Sequence, residues 1–140
     1  MVSILIADDY APWRQYVSAL LRRTSWCNVI GEVADGLEAV TRCEELQPDL
    51  ILLDLGLSGI TGMEVFRRIR LAGTRTVIIF VTNDASPEIV EEALRLGAKG
   101  YILKTDGGEL LTAIRTAMDG GQFLSSHVSE SVASARRQRA

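Results

Sequence analysis

The run Leu50-Ile51-Leu52-Leu53-Asp54 decides the fold. Four consecutive aliphatic side chains cannot alternate between a wet and a dry face. As a strand they must be covered on both sides, which is the condition of an interior strand in a parallel sheet. The run ends on an acid. Two further runs share this form: Ile4-Leu5-Ile6-Ala7 ends on Asp8-Asp9, and Val77-Ile78-Ile79-Phe80-Val81 ends on Thr82. Two weaker runs complete the set. Val29–Ala34 is interrupted by Gly31 and Glu32, and Gly100–Lys104 is short, so both read as edge strands.

Helical patterns fill the spaces between the runs. Trp13, Tyr16, Val17, Leu20 and Leu21 fall at i, i+3, i+4, i+7 and i+8, one face of a helix, and Leu110, Ala113, Ile114, Ala117 and Met118 repeat that spacing. Leu37, Val40 and Cys43 mark a second helix, stopped by Pro48. Val65, Phe66 and Ile69 mark a third. Ile89, Val90, Ala93 and Leu94 mark a fourth, with Pro87 at its start and Gly97 as its stop. Strict alternation of strand and helix implies parallel strands joined by right-handed crossovers. With the two weak runs at the edges, the expected architecture is a flavodoxin-like (βα)5 three-layer α/β sandwich, sheet order 2-1-3-4-5.

The chain has 140 residues, which suits one domain, and 15 Lys+Arg against 18 Asp+Glu give a net charge of −3. No apolar stretch approaches the roughly 18 residues a membrane helix needs. The N-terminus carries no basic n-region, so a cytoplasmic protein is expected. Cys27 and Cys43 are not in a metal spacing and read as reduced, partly buried thiols. The single histidine, His127, is near the C-terminus, which excludes most zinc sites and Ser-His-Asp or Cys-His triads from the body. Without Arg136, Arg137 and Arg139 the remaining 12 basic residues face 18 acids, a net of −6, and such a surface repels nucleic acid. Ser125, Ser126, Ser129, Ser131 and Ser134 precede those arginines. The expected division is therefore a domain over 1–122 and a linker or fraying helix over 123–140.

In a sheet of this order, ligands bind beyond the strand ends where connections leave in opposite directions. Asp8 and Asp9 end the first strand and Asp54 the third, so three carboxylates are expected at that crevice. They repel one another unless a cation lies among them. An all-oxygen donor set favours Mg²⁺, with Mn²⁺ as the alternative, over zinc. The structural alternative is that Asp8 and Asp9 cap the following helix, which leaves Asp54 unexplained. Thr82 ends the fourth strand and Lys104 the fifth. A hydroxyl, an ammonium, a cation and a central carboxylate suit a phosphoryl group, with Asp54 as nucleophile forming an acyl phosphate. Gly56-Leu57-Ser58-Gly59-Ile60-Thr61-Gly62 has neither the GxGxxG pattern nor the Lys-Ser/Thr of a nucleotide loop.

Asp8-Asp9, Asp54, Thr82 and Lys104 at these strand ends resemble the receiver domain of two-component response regulators, over about Met1 to Leu124. The resemblance implies that Asp54 accepts phosphate from a sensor histidine kinase. It implies Mg²⁺ on Asp9, Asp54 and the backbone carbonyl of Gly56, with Asp8 reaching it mostly through water. It further implies Lys104 and Thr82 on the phosphoryl group, Tyr101 as a switch aromatic, and a response in the face of the fourth helix, fifth strand and fifth helix. The segments Lys104–Leu110 and Gly120–Ser126 are similar to the NarL/FixJ branch, whose receivers usually precede a LuxR-type helix-turn-helix domain. The expected protein is then a transcription regulator that touches DNA only through such a domain; a stand-alone receiver and a phosphorylation-independent pseudo-receiver are the alternatives. Receivers also pair as homodimers, and Trp26 and Phe123 are candidate anchors, each more readily packed within its own chain. A turnover enzyme of the aspartyl-phosphate phosphatase type wants an acid two residues after the nucleophile, where this chain has Gly56.

The chain departs from the family pattern at Ser58, usually Pro; at Thr61, usually Asp or Asn; and at Asn83, usually a small residue, with Asp84 adding an acid beside it. Gly56, Gly59 and Gly62 predict a mobile loop without metal. Asn83 is expected to shield the acyl phosphate and slow its formation and hydrolysis.

Overall fold

The computed structural model describes residues 1–139. Its elements are β1 (Val2–Ala7), α1 (Ala11–Arg22), β2 (Cys27–Val33), α2 (Gly36–Leu46), β3 (Leu50–Leu53), α3 (Gly62–Leu71), β4 (Val77–Thr82), α4 (Pro87–Leu96) and β5 (Gly100–Leu103). A 3₁₀ turn over Lys104–Glu109 leads into α5 (Leu110–Met118), β6 (Phe123–Leu124) and α6 (Ser126–Arg139). The strand order is β2-β1-β3-β4-β5-β6. The expected 2-1-3-4-5 order holds, with a sixth strand added. The chain divides into two compact units, Met1–Ile78 and the residues from Ile79 onward.

In the first unit β1 pairs in parallel with both β2 and β3, and its register on β2 shifts between Ile4 and Leu5, where β2 carries the extra residue Ile30. Every side chain of β3 is buried, as are Ile4, Leu5, Ile6 and Ala7. Each of the Leu and Ile side chains contributes roughly 1.5–3 kcal/mol of burial, so these strands anchor the unit. Helix ends follow local chemistry. The Asp35 carboxylate accepts the Glu38 amide at the start of α2, and the Thr61 hydroxyl accepts the Glu64 amide at the start of α3. Thr61 therefore performs the capping that Asp or Asn performs somewhat better, and this departure from the family pattern is chemically mild.

In the second unit β5 pairs in parallel with β4 on one side and β6 on the other. The edge-strand expectation for Gly100–Lys104 is thus corrected: Phe123 donates its amide to the Lys99 carbonyl at 3.0 Å and Phe123–Leu124 form the outer strand. Pro87 opens α4, and Gly97 closes it at φ 107°, as the sequence predicts. In the segment read as a linker or fraying helix, Phe123–Leu124 form β6 and Ser126–Arg139 form α6. Val128 and Val132 are buried, one helical turn apart, and α6 packs against α4 and β5. Two buried valines in fourteen residues make too narrow a stripe for the periodicity to be read. Among the described residues, no helix is long and apolar enough to cross a membrane.

Candidate functional site

The carboxylates of Asp8, Asp9 and Asp54 each place an oxygen within 4.8 Å of the others. The backbone brings them there: Asp8 and Asp9 follow the last residue of β1, Asp54 follows β3, and the Asp54 amide donates to the Ala7 carbonyl at 3.0 Å across the two strand ends. Asp8 and Asp54 are buried and Asp9 is exposed. Helix capping is not what Asp8 and Asp9 do. The N-cap of α1 is Tyr10, which makes no side-chain cap bond, while the Asp8 carboxylate accepts the Tyr10 amide at 2.8 Å from outside the helix.

The remaining restraints come from neighbouring loops. The Gly56 amide donates to Asp54 Oδ1 at 3.1 Å, and the Ser58 hydroxyl donates to Asp9 Oδ2 at 2.9 Å. Arg14 donates to the Asp8 carbonyl at 2.7 Å. The glycine-rich loop is not loose at Gly62. A Cβ there would lie 2.4 Å from the Asp54 carbonyl oxygen, and the Gly62 amide donates to the Leu55 carbonyl at 3.0 Å. Glycine at 62 serves close approach of α3 to the acid, and Gly59, at φ 84°, serves a left-handed turn. At these two positions glycine has a packing or turn reason besides chain freedom.

In the second unit Thr82 is buried at the end of β4, and its hydroxyl accepts the Asp84 amide at 3.3 Å. Tyr101 is fully buried, and its hydroxyl donates to the Asp84 carbonyl. Thr82 and Tyr101 thus meet at one residue of the loop before α4. Lys104 follows β5, half-buried, and opens the 3₁₀ turn. Asn83 and Asp84 are exposed, and Trp26 and Phe123 are half-buried. Both cysteines are free and buried; burial pushes the Cys43 thiol above its ordinary value, against a hydrogen bond to Thr76.

Three oxygen-donor side chains at converging strand ends, without a histidine or thiolate, fit a hard divalent cation. Comparison with known proteins gives the family. The family described as response regulator receiver domain matches residues 4–115. The chain belongs to this family. LiaR of Bacillus subtilis, a transcriptional regulatory protein, is 36% identical over 138 residues, 98% of this chain and 65% of that protein. The nitrate/nitrite response regulator NarL of Escherichia coli is 36% identical over 139 residues, 96% of this chain and 63% of that protein. The receiver spans less than two thirds of the length of these relatives. A LuxR-family response regulator from Aurantimonas sp. superposes with a TM-score of 0.91 at 30% identity, over 97% of this chain and 98% of that one. The fold is the flavodoxin-like receiver fold, of the NarL/LuxR branch. Ser58 and Arg14 are site neighbours that the sequence reading did not assign; a hydroxyl or guanidinium aimed at a carboxylate or carbonyl leaves no periodic trace.

Proposed function

We propose that this receiver accepts a phosphoryl group on Asp54 from a sensor histidine kinase, in the cytoplasm and with Mg²⁺ bound. The observation that carries the reading is the convergence of Asp8, Asp9 and Asp54 within 4.8 Å at the ends of β1 and β3. Asp9, Asp54 and the Gly56 carbonyl would hold the cation, Asp8 mostly through water. Bound there, Mg²⁺ would offset part of the negative charge of the acids and of the phosphoryl oxygens. One Asp54 oxygen attacks phosphorus, the bond from phosphorus to the donor breaks, and the leaving group departs with its electron pair. Lys104 supplies an ammonium to the phosphoryl oxygens and Thr82 a hydroxyl. Thr82 accepts from the Asp84 amide and keeps its own proton to donate, so its movement toward the phosphoryl group carries that loop with it. That loop is also held by Tyr101, so its shift is the event that lets the ring move and changes the face of α4, β5 and α5. The product is a stoichiometric acyl phosphate rather than many turnovers. Control of a helix-turn-helix domain is the output that the LiaR and NarL relationships support, and a stand-alone receiver is the alternative.

Incubation with Mg²⁺ and acetyl phosphate tests the reading. One acid-stable, base-labile phosphate per chain is expected, absent in Asp54→Asn. Rapid phosphate release without an accumulating adduct points to a phosphatase, and neither adduct nor release to a pseudo-receiver.

A further inference from the structure

We infer that Ser58 is a positioning residue for the acidic pit, holding Asp9 in the orientation from which its carboxylate ligates a divalent cation. This rests on the metal reading above. Asp8 and Asp54 are 2% and 7% exposed, and each has one carboxylate oxygen taken by the amide two residues further on, Tyr10 and Gly56. Burial and the local chain orient both. Asp9 lacks that burial. The hydrogen bond on its Oδ2 comes from a side chain 49 positions away in the sequence.

Ser58 is itself well placed to act as a strut. Its carbonyl accepts the Gly36 amide at 2.9 Å, and its backbone bridges Asp35. The main chain of Ser58 is thereby fixed to the corner between β2 and α2, while its hydroxyl reaches the end of β1. A carboxylate has two oxygens, so a donor on one orients the group and leaves the other oriented toward a ligand. A neutral hydroxyl does this without cancelling the charge that draws a cation, as Lys or Arg would. Residues outside a metal's direct ligands that fix ligand orientation commonly alter affinity 10–100-fold. With Ser58 exposed to water, the lower end applies.

Calorimetric titration of the full chain with MgCl₂ tests this, independently of phosphorylation. Ser58→Ala is expected to weaken Mg²⁺ binding about tenfold, with an unchanged urea midpoint. Ser58→Thr, which keeps the hydroxyl, is expected to stay near wild type. In an Asp9→Ala background, Ser58→Ala should change nothing further. Wild-type affinity in Ser58→Ala, or a Thr variant as weak as Ala, overturns the role of Ser58 while leaving the pit a metal site. Absence of Mg²⁺ binding by the wild-type chain overturns the metal reading and the role of Ser58 together.

Discussion

At Gly62 one missing methyl group sets the approach of a helix to the acid it serves. A Cβ would lie 2.4 Å from the Asp54 carbonyl oxygen and 2.8 Å from the Leu55 Cα, both backbone atoms that no rotamer change can move. Alanine gains at most about 1 kcal/mol of helix propensity over glycine. Overpacking against rigid atoms costs about 1–3 kcal/mol, so the clash wins. Gly62→Ala is expected to lower the urea midpoint at unchanged m-value, whereas Gly108→Ala, with nothing within 4 Å of the added methyl, stays within about 0.5 kcal/mol of wild type. Asn83 is exposed beside buried Thr82. If its amide shields the acyl phosphate, Asn83→Ala will hydrolyse faster than wild type in a radiolabel chase. An unchanged or slower rate removes that role.

The element of most consequence outside the pit is α6. Its first turn is tied to the 3₁₀ turn: the His127 amide and ring donate to Asp106 at 3.0 and 2.5 Å, and the Ser126 amide donates to Glu109. Ser131 donates to the Ala85 carbonyl at 3.0 Å, and Arg139 pairs with Glu91 at 2.6 Å. Val132→Ala removes about two methylene equivalents, roughly 1.5 kcal/mol, from one face of this helix. Faster amide exchange confined to α6 is the expected readout, with β1 and β3 unchanged. The His127 link is also pH-dependent. The hydrogen bond to Asp106 and then its charge raise the imidazole above its ordinary value of 6.5, with Glu130 and Glu109 adding to the effect. Burial pushes the Asp106 carboxyl up, but Ser125 and His127 outweigh it and leave the group below 3.8. The raised His contribution is complete below pH 6.5 and is lost as pH rises through the folded value; the lowered Asp contribution is present above pH 3.8 and is lost as pH falls. The link is therefore strongest between these two values. The His127 side chain is 66% exposed, so salt screens the effect. Thermal melts of wild type and His127→Gln are expected to differ most near pH 5–6 at low salt and to converge toward pH 9.

At the scale of the whole chain, charge constrains partners more than shape does. The net of −3 already includes three C-terminal arginines, one of which is paired with Glu91. Non-specific DNA binding depends on releasing counterions with clustered cations, and an acidic body opposes it. This receiver at micromolar concentration is expected not to retard duplex DNA at about 150 mM salt in a gel-shift assay. Retardation at that salt would mean that the α6 arginines act as a basic arm.

The order of strands and the three acids were legible in the residues because both depend on local pattern. A strand covered on both faces must be continuously apolar, and an acid at its end is visible as the residue that breaks the run. Thr82 and Lys104 were legible in the same way, as residues at strand ends, whereas Tyr101 was singled out by the family resemblance alone. The β6–α6 segment was not, since its burial rests on two valines among serines and arginines and on a strand of two residues, too few to generate a period. The Ser58–Asp9 bond and the clash that demands glycine at 62 are likewise contacts between segments distant in sequence or between a side chain and a turn. Tertiary structure alone decided these, because only folding brings the partner atoms within bonding distance.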